Sequence, residues 1–251
     1  MASQESRIIV ALDVPNSTAA LSLAEKLSPH VRMFKVGKQL FTAEGPNVVR
    51  GIRISGGRVF LDLKFKDIPN TVAGAADSAT RLGISMFNVH CDGGFKMMEA
   101  AAKAAEKTSA ELGIACPVVL GVTVLTSMDY PELCGVFPLN PDLPADEQDR
   151  FIRELVLSRA ALARKAGLHG VVASPREAKA VREACGANFT IVTPGIRPTG
   201  VSADDQVRID TPRAAITAGS DYLVIGRPIT EAVDPVEAAK RINDEVAAAL
   251  A

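Results

Sequence analysis

The chain has 251 residues, 47% of them hydrophobic, and carries 28 Lys and Arg against 29 Asp and Glu. That length can bury a large core and suits one α/β barrel or two small domains, while the near-neutral charge excludes a chain built to neutralise nucleic-acid phosphates. No apolar run reaches the ~20 residues that span a bilayer, and the opening MASQESR lacks the apolar stretch of a signal peptide, so a cytoplasmic protein is expected.

Along the chain, short β-branched runs alternate with Ala-rich, charge-dotted stretches of helical period, the pattern of βα units around a parallel sheet. The strands are expected at Ile8 to Leu12, Met33 to Val36, Val59 to Leu63, Met86 to His90, Val118 to Val124, Gly170 to Ala173, Thr190 to Val192 and Tyr222 to Ile225. Helices are expected around Thr18 to Leu27, Ala43 to Ile54, Val72 to Leu82, Phe95 to Leu112, Glu147 to Ala166, Pro175 to Ala184, Val207 to Ala218 and Pro235 to Leu250. Eight such units predict a (β/α)8 TIM barrel in which residues 1–251 form one domain. Met128 to Asp146, with Pro131, Pro138, Pro141 and Pro144, breaks the rhythm and reads as a surface loop insertion or lid at about 128–146.

Cys91, Cys116, Cys134 and Cys185 are scattered without a C-x-x-C pair, so they read as reduced, mostly packed thiols and not as a zinc site or disulfide framework. Trp is absent and aromatics amount to 4%, which weakens readings that need base-stacking platforms. Neither a P-loop nor G-x-G-x-x-G is present, so a small molecule other than a dinucleotide is the expected ligand.

Barrel chemistry sits at the C-terminal ends of strands, and the polar residues gather there. Asp13 follows the first strand, Lys35 lies at the end of the second, Asp62 and Lys64 close the third and His90 the fourth; Thr123, Thr126 and Ser127 follow the fifth. In an extended segment Asp62 and Lys64 would share one face, with Leu63 and Phe65 on the other, and Asp67 would sit on the turn made by Pro69. Taken alone, Asp13 reads more readily as a solvated rim residue or cap, and His90 as a hydrogen-bonded rim histidine than as a catalytic base. The Asp62, Lys64 and Asp67 cluster is harder to explain structurally, because charge held there loses stability to desolvation.

The last two strand ends place glycine beside arginine, in Thr193-Pro194-Gly195-Ile196-Arg197-Pro198 and in Gly226-Arg227. Glycine lets the backbone approach an anion and arginine supplies a planar donor fork, so these loops are the expected phosphate site.

DLKFKDIPNT fits D-x-K-x-x-D-I-P-x-T, and ALDVP, FKVG, NVHCDGG, VTVLTS, VVASPREA, TPGIRPTG with Asp205-Gln206, and DYLVIGRPIT follow in order. With these motifs the chain resembles the orotidine 5'-phosphate decarboxylase family in its bacterial homodimeric form. The resemblance implies a lyase that converts orotidine 5'-phosphate to UMP, the last step of de novo pyrimidine nucleotide synthesis, with no cofactor and no metal. It implies a charge array of Lys35, Asp62, Lys64 and Asp67, the last supplied with Thr71 by the partner subunit of a homodimer. It further implies that Asp13 and Lys35 contact the ribose, Thr126 and Ser127 the pyrimidine, and Gln206, Gly226 and Arg227 the phosphate, with Pro194 and Arg197 close by. Cys91 stands where small residues such as alanine are common, and the proline-rich segment is longer than in compact members.

Two other readings stay open at this point. D-x-K-x-x-D alone also fits metal-dependent phosphosugar decarboxylases and aldolases of the same superfamily, although a cation at Lys35 opposes a divalent metal. A non-catalytic nucleotide-binding barrel would not need Lys64 between two acids.

Overall fold

The computed structural model describes residues 6–198 and 210–250. Its eight strands close a parallel barrel in the order β1 to β8, with β1 (Ile8–Ala11) paired to both β2 (Met33–Gly37) and β8 (Tyr222–Ile225). Between these lie β3 (Arg58–Phe65), β4 (Met86–His90), β5 (Val118–Val122), β6 (Gly170–Val172) and β7 (Thr190–Thr193). The predicted (β/α)8 architecture is therefore the observed one. Among the described residues, no helix is long and apolar enough to cross a membrane.

Strand alternation builds two cores. Ile8, Val10, Phe34, Val36, Val59, Leu61, Phe87 and Val89 point outward into the layer shared with the helices. Ile9, Ala11, Met33, Phe60, Met86, Leu120, Val192 and Val224 point inward and pack together inside the barrel. One inward position further along, the residues become polar: Lys35 follows Met33, Asp62 follows Phe60 and Asn88 follows Met86. The period of two that fills the barrel with hydrocarbon thus lifts a charged tier onto it.

The helices are α1 (Ser17–Leu27), α2 (Lys38–Glu44), α3 (Asn47–Ile54), α4 (Pro69–Arg81), α5 (Phe95–Leu112), α6 (Tyr130–Val136), α7 (Ala145–Lys165), α8 (Pro175–Cys185), α9 (Pro212–Thr217), α10 (Arg227–Thr230) and α11 (Pro235–Leu250). Short polar side chains start several of them. Asn16 Oδ1 accepts from the Ala19 N–H of α1 at 3.0 Å, Asp129 Oδ1 from Glu132 of α6 at 3.0 Å, and Thr211 Oγ1 from Ala214 of α9 at 3.2 Å.

Several expected boundaries move. The stretch expected as one helix over Ala43 to Ile54 is α2 and α3, because Gly45 takes φ +62° and Pro46 follows it. The proline-rich stretch is not all loop: Pro131 occupies the first turn of α6, where its missing N–H leaves no intrahelical bond unmade. α4 begins at Pro69 for the same reason, three residues before the expected start. β5 ends at Val122, while β3 continues past the expected Leu63 to Phe65. α9 covers only Pro212–Thr217 of the expected Val207 to Ala218, of which 207–209 lie outside the described residues.

Candidate active site

A cavity of about 570 Å³ opens at the C-terminal ends of the strands. It is lined by Asp13, Lys35, Asp62, Lys64, Thr126, Ser127, Pro194, Arg197, Gly226 and Arg227, so ten of the residues singled out in the sequence converge there. A larger hollow of about 740 Å³ lies at the opposite end, where the strands begin. Its walls are engaged in ties that close the barrel: Ser6 Oγ donates to Asn243 Oδ1 at 2.8 Å, Asn243 Nδ2 donates to the His30 carbonyl at 2.9 Å, and Arg7 reaches Asp221.

Charge alternates across the mouth. Lys35 Nζ lies 2.9 Å from Asp13 Oδ1 and 3.6 Å from Asp62 Oδ2, and Lys64 Nζ donates to Asp62 Oδ1 at 2.6 Å. Asp13 is open to solvent, with its side chain 58% exposed, whereas those of Lys35 and Asp62 are 10% and 12% exposed. Burial pushes the Asp62 carboxyl up, but the charges of Lys35 and Lys64, with hydrogen bonds from Lys64 and Asn88, outweigh it and hold the group below the usual carboxylate range. The site therefore keeps an ionised carboxylate in a largely enclosed place, where neighbouring charges act on it with little screening.

The Asp62–Lys64 proximity does not come from regular alternation. β3 pairs with β4 at Phe60↔Met86 and Leu61↔Phe87, and then only at Phe65↔Val89, so Asp62, Leu63 and Lys64 lie opposite the single residue Asn88. Within this bulge Lys64 takes φ +53° and is the one non-glycine residue with positive φ among those described. The buried Asn88 side chain bridges the irregularity: the Lys64 N–H donates to Oδ1 at 2.8 Å, and Nδ2 donates to Asp62 Oδ1 at 2.7 Å. Asn88 was not among the sequence candidates. The available signal was its place on the inward face of β4, between Met86 and His90.

Gln39 and Glu231 also line the cavity without having been singled out. At the other side of the mouth, Gly195 takes φ +76°, which an L side chain would resist, and Arg197 is nearly buried, its Nη1 donating to the Ile196 carbonyl at 3.1 Å. Ile196 pairs with Asp210 in an isolated parallel bridge, and Arg197 N–H donates to the Asp210 carbonyl at 2.9 Å. Gln206 lies outside the described residues.

Asp67 and Thr71 do not line the cavity of their own chain. Asp67 is exposed on the turn before α4, where its Oδ1 accepts from the Ile68 N–H at 2.6 Å, and Thr71 is exposed in the first turn of that helix. Within one chain Lys64 is thus paired with Asp62 and not clamped between two acids. His90 sits beside Asp92, Nδ1 to Oδ1 3.7 Å, and burial pushes its pKa down against the pull of Asp92. The four cysteines are free; Cys91 is buried behind β4, and burial raises its thiol to about 12, out of the range of a nucleophile at neutral pH. Among the described residues no group of three or more His, Cys, Asp or Glu side chains could hold a metal ion.

Fold and mouth together define a (β/α)8 barrel whose site is built from fixed charge: a lysine–carboxylate array facing arginines at the ends of β7 and β8. The family model for orotidine 5'-phosphate decarboxylase / HUMPS matches residues 6–242. The chain is 54% identical over 241 residues to an orotidine 5'-phosphate decarboxylase of Moorella thermoacetica, covering 96% of this chain and 92% of that one. It is 53% identical over 244 residues to the protein of the same name from Syntrophotalea carbinolica, covering 97% and 96%. The crystal structure of orotidine 5'-phosphate decarboxylase from Lactobacillus acidophilus superposes with a TM-score of 0.81 at 37% identity, over 96% of this chain and 99% of that one. The chain belongs to the orotidine 5'-phosphate decarboxylase / HUMPS family.

Proposed function

We propose that the protein is a carboxy-lyase that removes CO2 from orotidine 5'-phosphate to give UMP, closing pyrimidine nucleotide synthesis in the cytoplasm. The observation that carries this reading is the Lys64 ammonium held 2.6 Å from Asp62 in a mouth whose other wall bears Arg197 and Arg227. In the reaction the bond from C6 to the carboxylate carbon breaks and CO2 leaves. The bonding pair stays on C6 in the ring plane, where the π system cannot spread it. Lys64 Nζ transfers its proton to that pair, forming the new C6–H bond.

Stabilising such a carbanion is an electrostatic task, and groups fixed before the reaction do it without reorganisation. Lys64 supplies the charge nearest C6. Asp62 orients Lys64, and its own negative charge faces the substrate carboxylate until CO2 departs. Asp13 and Lys35 bind the ribose hydroxyls and Thr126 and Ser127 the pyrimidine, while Gly226, Arg227 and Gln206 take the phosphate with Pro194 and Arg197 beside them. Decarboxylations this slow in water call for accelerations on the order of 10¹⁷, about 23 kcal/mol, so binding energy from the remote phosphate must also organise the site. Asp67 and Thr71, exposed beside the 68% exposed Ile68, complete the site of the partner subunit in a homodimer.

The test is the fall in ultraviolet absorbance when purified protein meets orotidine 5'-phosphate, run with and without a chelator. Turnover unaffected by the chelator supports the reading. Dependence on added magnesium would transfer the chain to the metal-dependent lyases, and binding without turnover would leave a nucleotide-binding barrel.

A further inference from the structure

Asn88 stands where β4 has one residue against three on β3. A bulge of that size removes the Lys64 N–H from the ladder, and a backbone donor left unpaired in a half-buried place is destabilising. The left-handed backbone of Lys64 adds a steric cost for a residue with a Cβ. Something must hold this conformation, and the Asn88 carbonyl oxygen accepting the Lys64 N–H at 2.8 Å is the contact that does so. The other end of the same amide donates to Asp62 Oδ1, the atom to which Lys64 Nζ also donates. A carboxylate only accepts and a backbone N–H only donates, so the two neighbours leave one orientation for the amide.

We propose that Asn88 is the positioning residue of the charge array, fixing the backbone from which the Lys64 side chain departs and the carboxylate to which its ammonium is held. The neutral amide joins both ends of a three-residue segment and places the proton donor without adding a charge. No hydrophobic residue at 88 can do this, and neither can Asp, whose carboxylate would accept from Lys64 but repel Asp62. The kinetic part of the inference rests on the decarboxylase reading; the structural part does not.

The test compares the wild-type protein with Asn88→Ala and Asn88→Asp. For Asn88→Ala, kcat with orotidine 5'-phosphate is expected to fall about 100-fold or more, the scale of a misplaced reacting group, while KM changes less than about fivefold because the ribose and phosphate contacts lie elsewhere. Asn88→Asp, nearly the same shape, is expected to lose kcat as well. A folded Asn88→Ala within threefold of wild-type kcat, or a loss carried entirely by KM, overturns the proposal. A separate measurement needs neither turnover nor a folded variant: hydrogen exchange at the Lys64 amide of the wild-type protein. Protection comparable with the flanking strand supports the bridge, and exchange as fast as an exposed loop overturns it. Wild-type protein inert towards orotidine 5'-phosphate would remove the decarboxylase reading, and Lys64 exchange would then decide the role of Asn88.

Discussion

The Lys35 ammonium lies 2.9 Å from Asp13 Oδ1, in the space that a methyl group on Gly37 would enter: a Cβ there would come within 2.9 Å of Lys35 Nζ and 3.2 Å of Asp13 Oδ1. Gly37 has φ −91°, so its backbone tolerates any side chain, and the demand for glycine comes from the ion pair alone. Both threatened atoms end flexible side chains that can swing away. Gly37→Ala is therefore expected to leave the thermal midpoint within about 4 °C of wild type. kcat/KM for orotidine 5'-phosphate should fall by roughly 10- to 100-fold as Lys35 loses its place. Paired melting and steady-state assays check it, and unchanged kcat/KM refutes it.

Lys64→Ala tests the proposed proton donor. A positioned acid contributes about 10²–10⁴ in rate, and in the proposed reaction the same cation also stabilises the carbanion, so a loss of at least about 10³-fold in kcat is expected. Circular dichroism should match wild type. Near-normal turnover would show that the proton comes from elsewhere.

The exposure of Asp67 and Thr71 beside Ile68 leads to a mixing experiment. Lys64→Ala and Asp67→Ala protomers are each expected to be inactive as homodimers. A hybrid dimer would carry one doubly damaged site and one intact site, so a refolded mixture should recover about a quarter of wild-type activity if the protomers assort at random and each site works independently. Hybrids verified by mass spectrometry that stay inactive would place Asp67 outside the partner's site.

Asp62 predicts a pH dependence of stability. Its folded pKa lies below the ordinary 3.8, so the folded protein binds the proton less readily than the unfolded chain. The resulting stability is complete above about pH 3.8 and is lost as pH falls through the lower, folded value. Denaturant titrations of wild type and Asp62→Asn should show a gap that is constant through neutral pH and narrows below pH 3.8. A gap that stays constant to the acid limit would mean that the carboxylate is not held by Lys35 and Lys64.

The barrel and most of the mouth were legible because both rest on short periods. Short β-branched runs between stretches of helical period marked the βα units, and strand ends collected Asp13, Lys35, Asp62 and Lys64. Asn88 escaped because an asparagine in an apolar strand carries no charge to attract notice, and its role depends on a bulge in the neighbouring strand. α6 was hidden by proline density, although Asp129 before Tyr130-Pro131 is a helix-start signal. The split between α2 and α3 was written in Gly45-Pro46 and outweighed by the apolar period on either side. Asp67 was legible as a turn residue before Pro69, and the turn does carry it to the outside of its own chain; which site it serves depends on a second chain, which no local pattern encodes.

The hydrocarbon plug formed by Met33, Phe60, Met86 and Leu120 beneath the charged tier works as an electrical insulator. These buried side chains put a low-dielectric layer beneath Lys35 and Asp62, so their field is least damped towards the open end of the barrel, where an anion would arrive. Polar substitution at Phe60, one tier below the charged residues, would therefore weaken their field by admitting a medium that shields the charges above it.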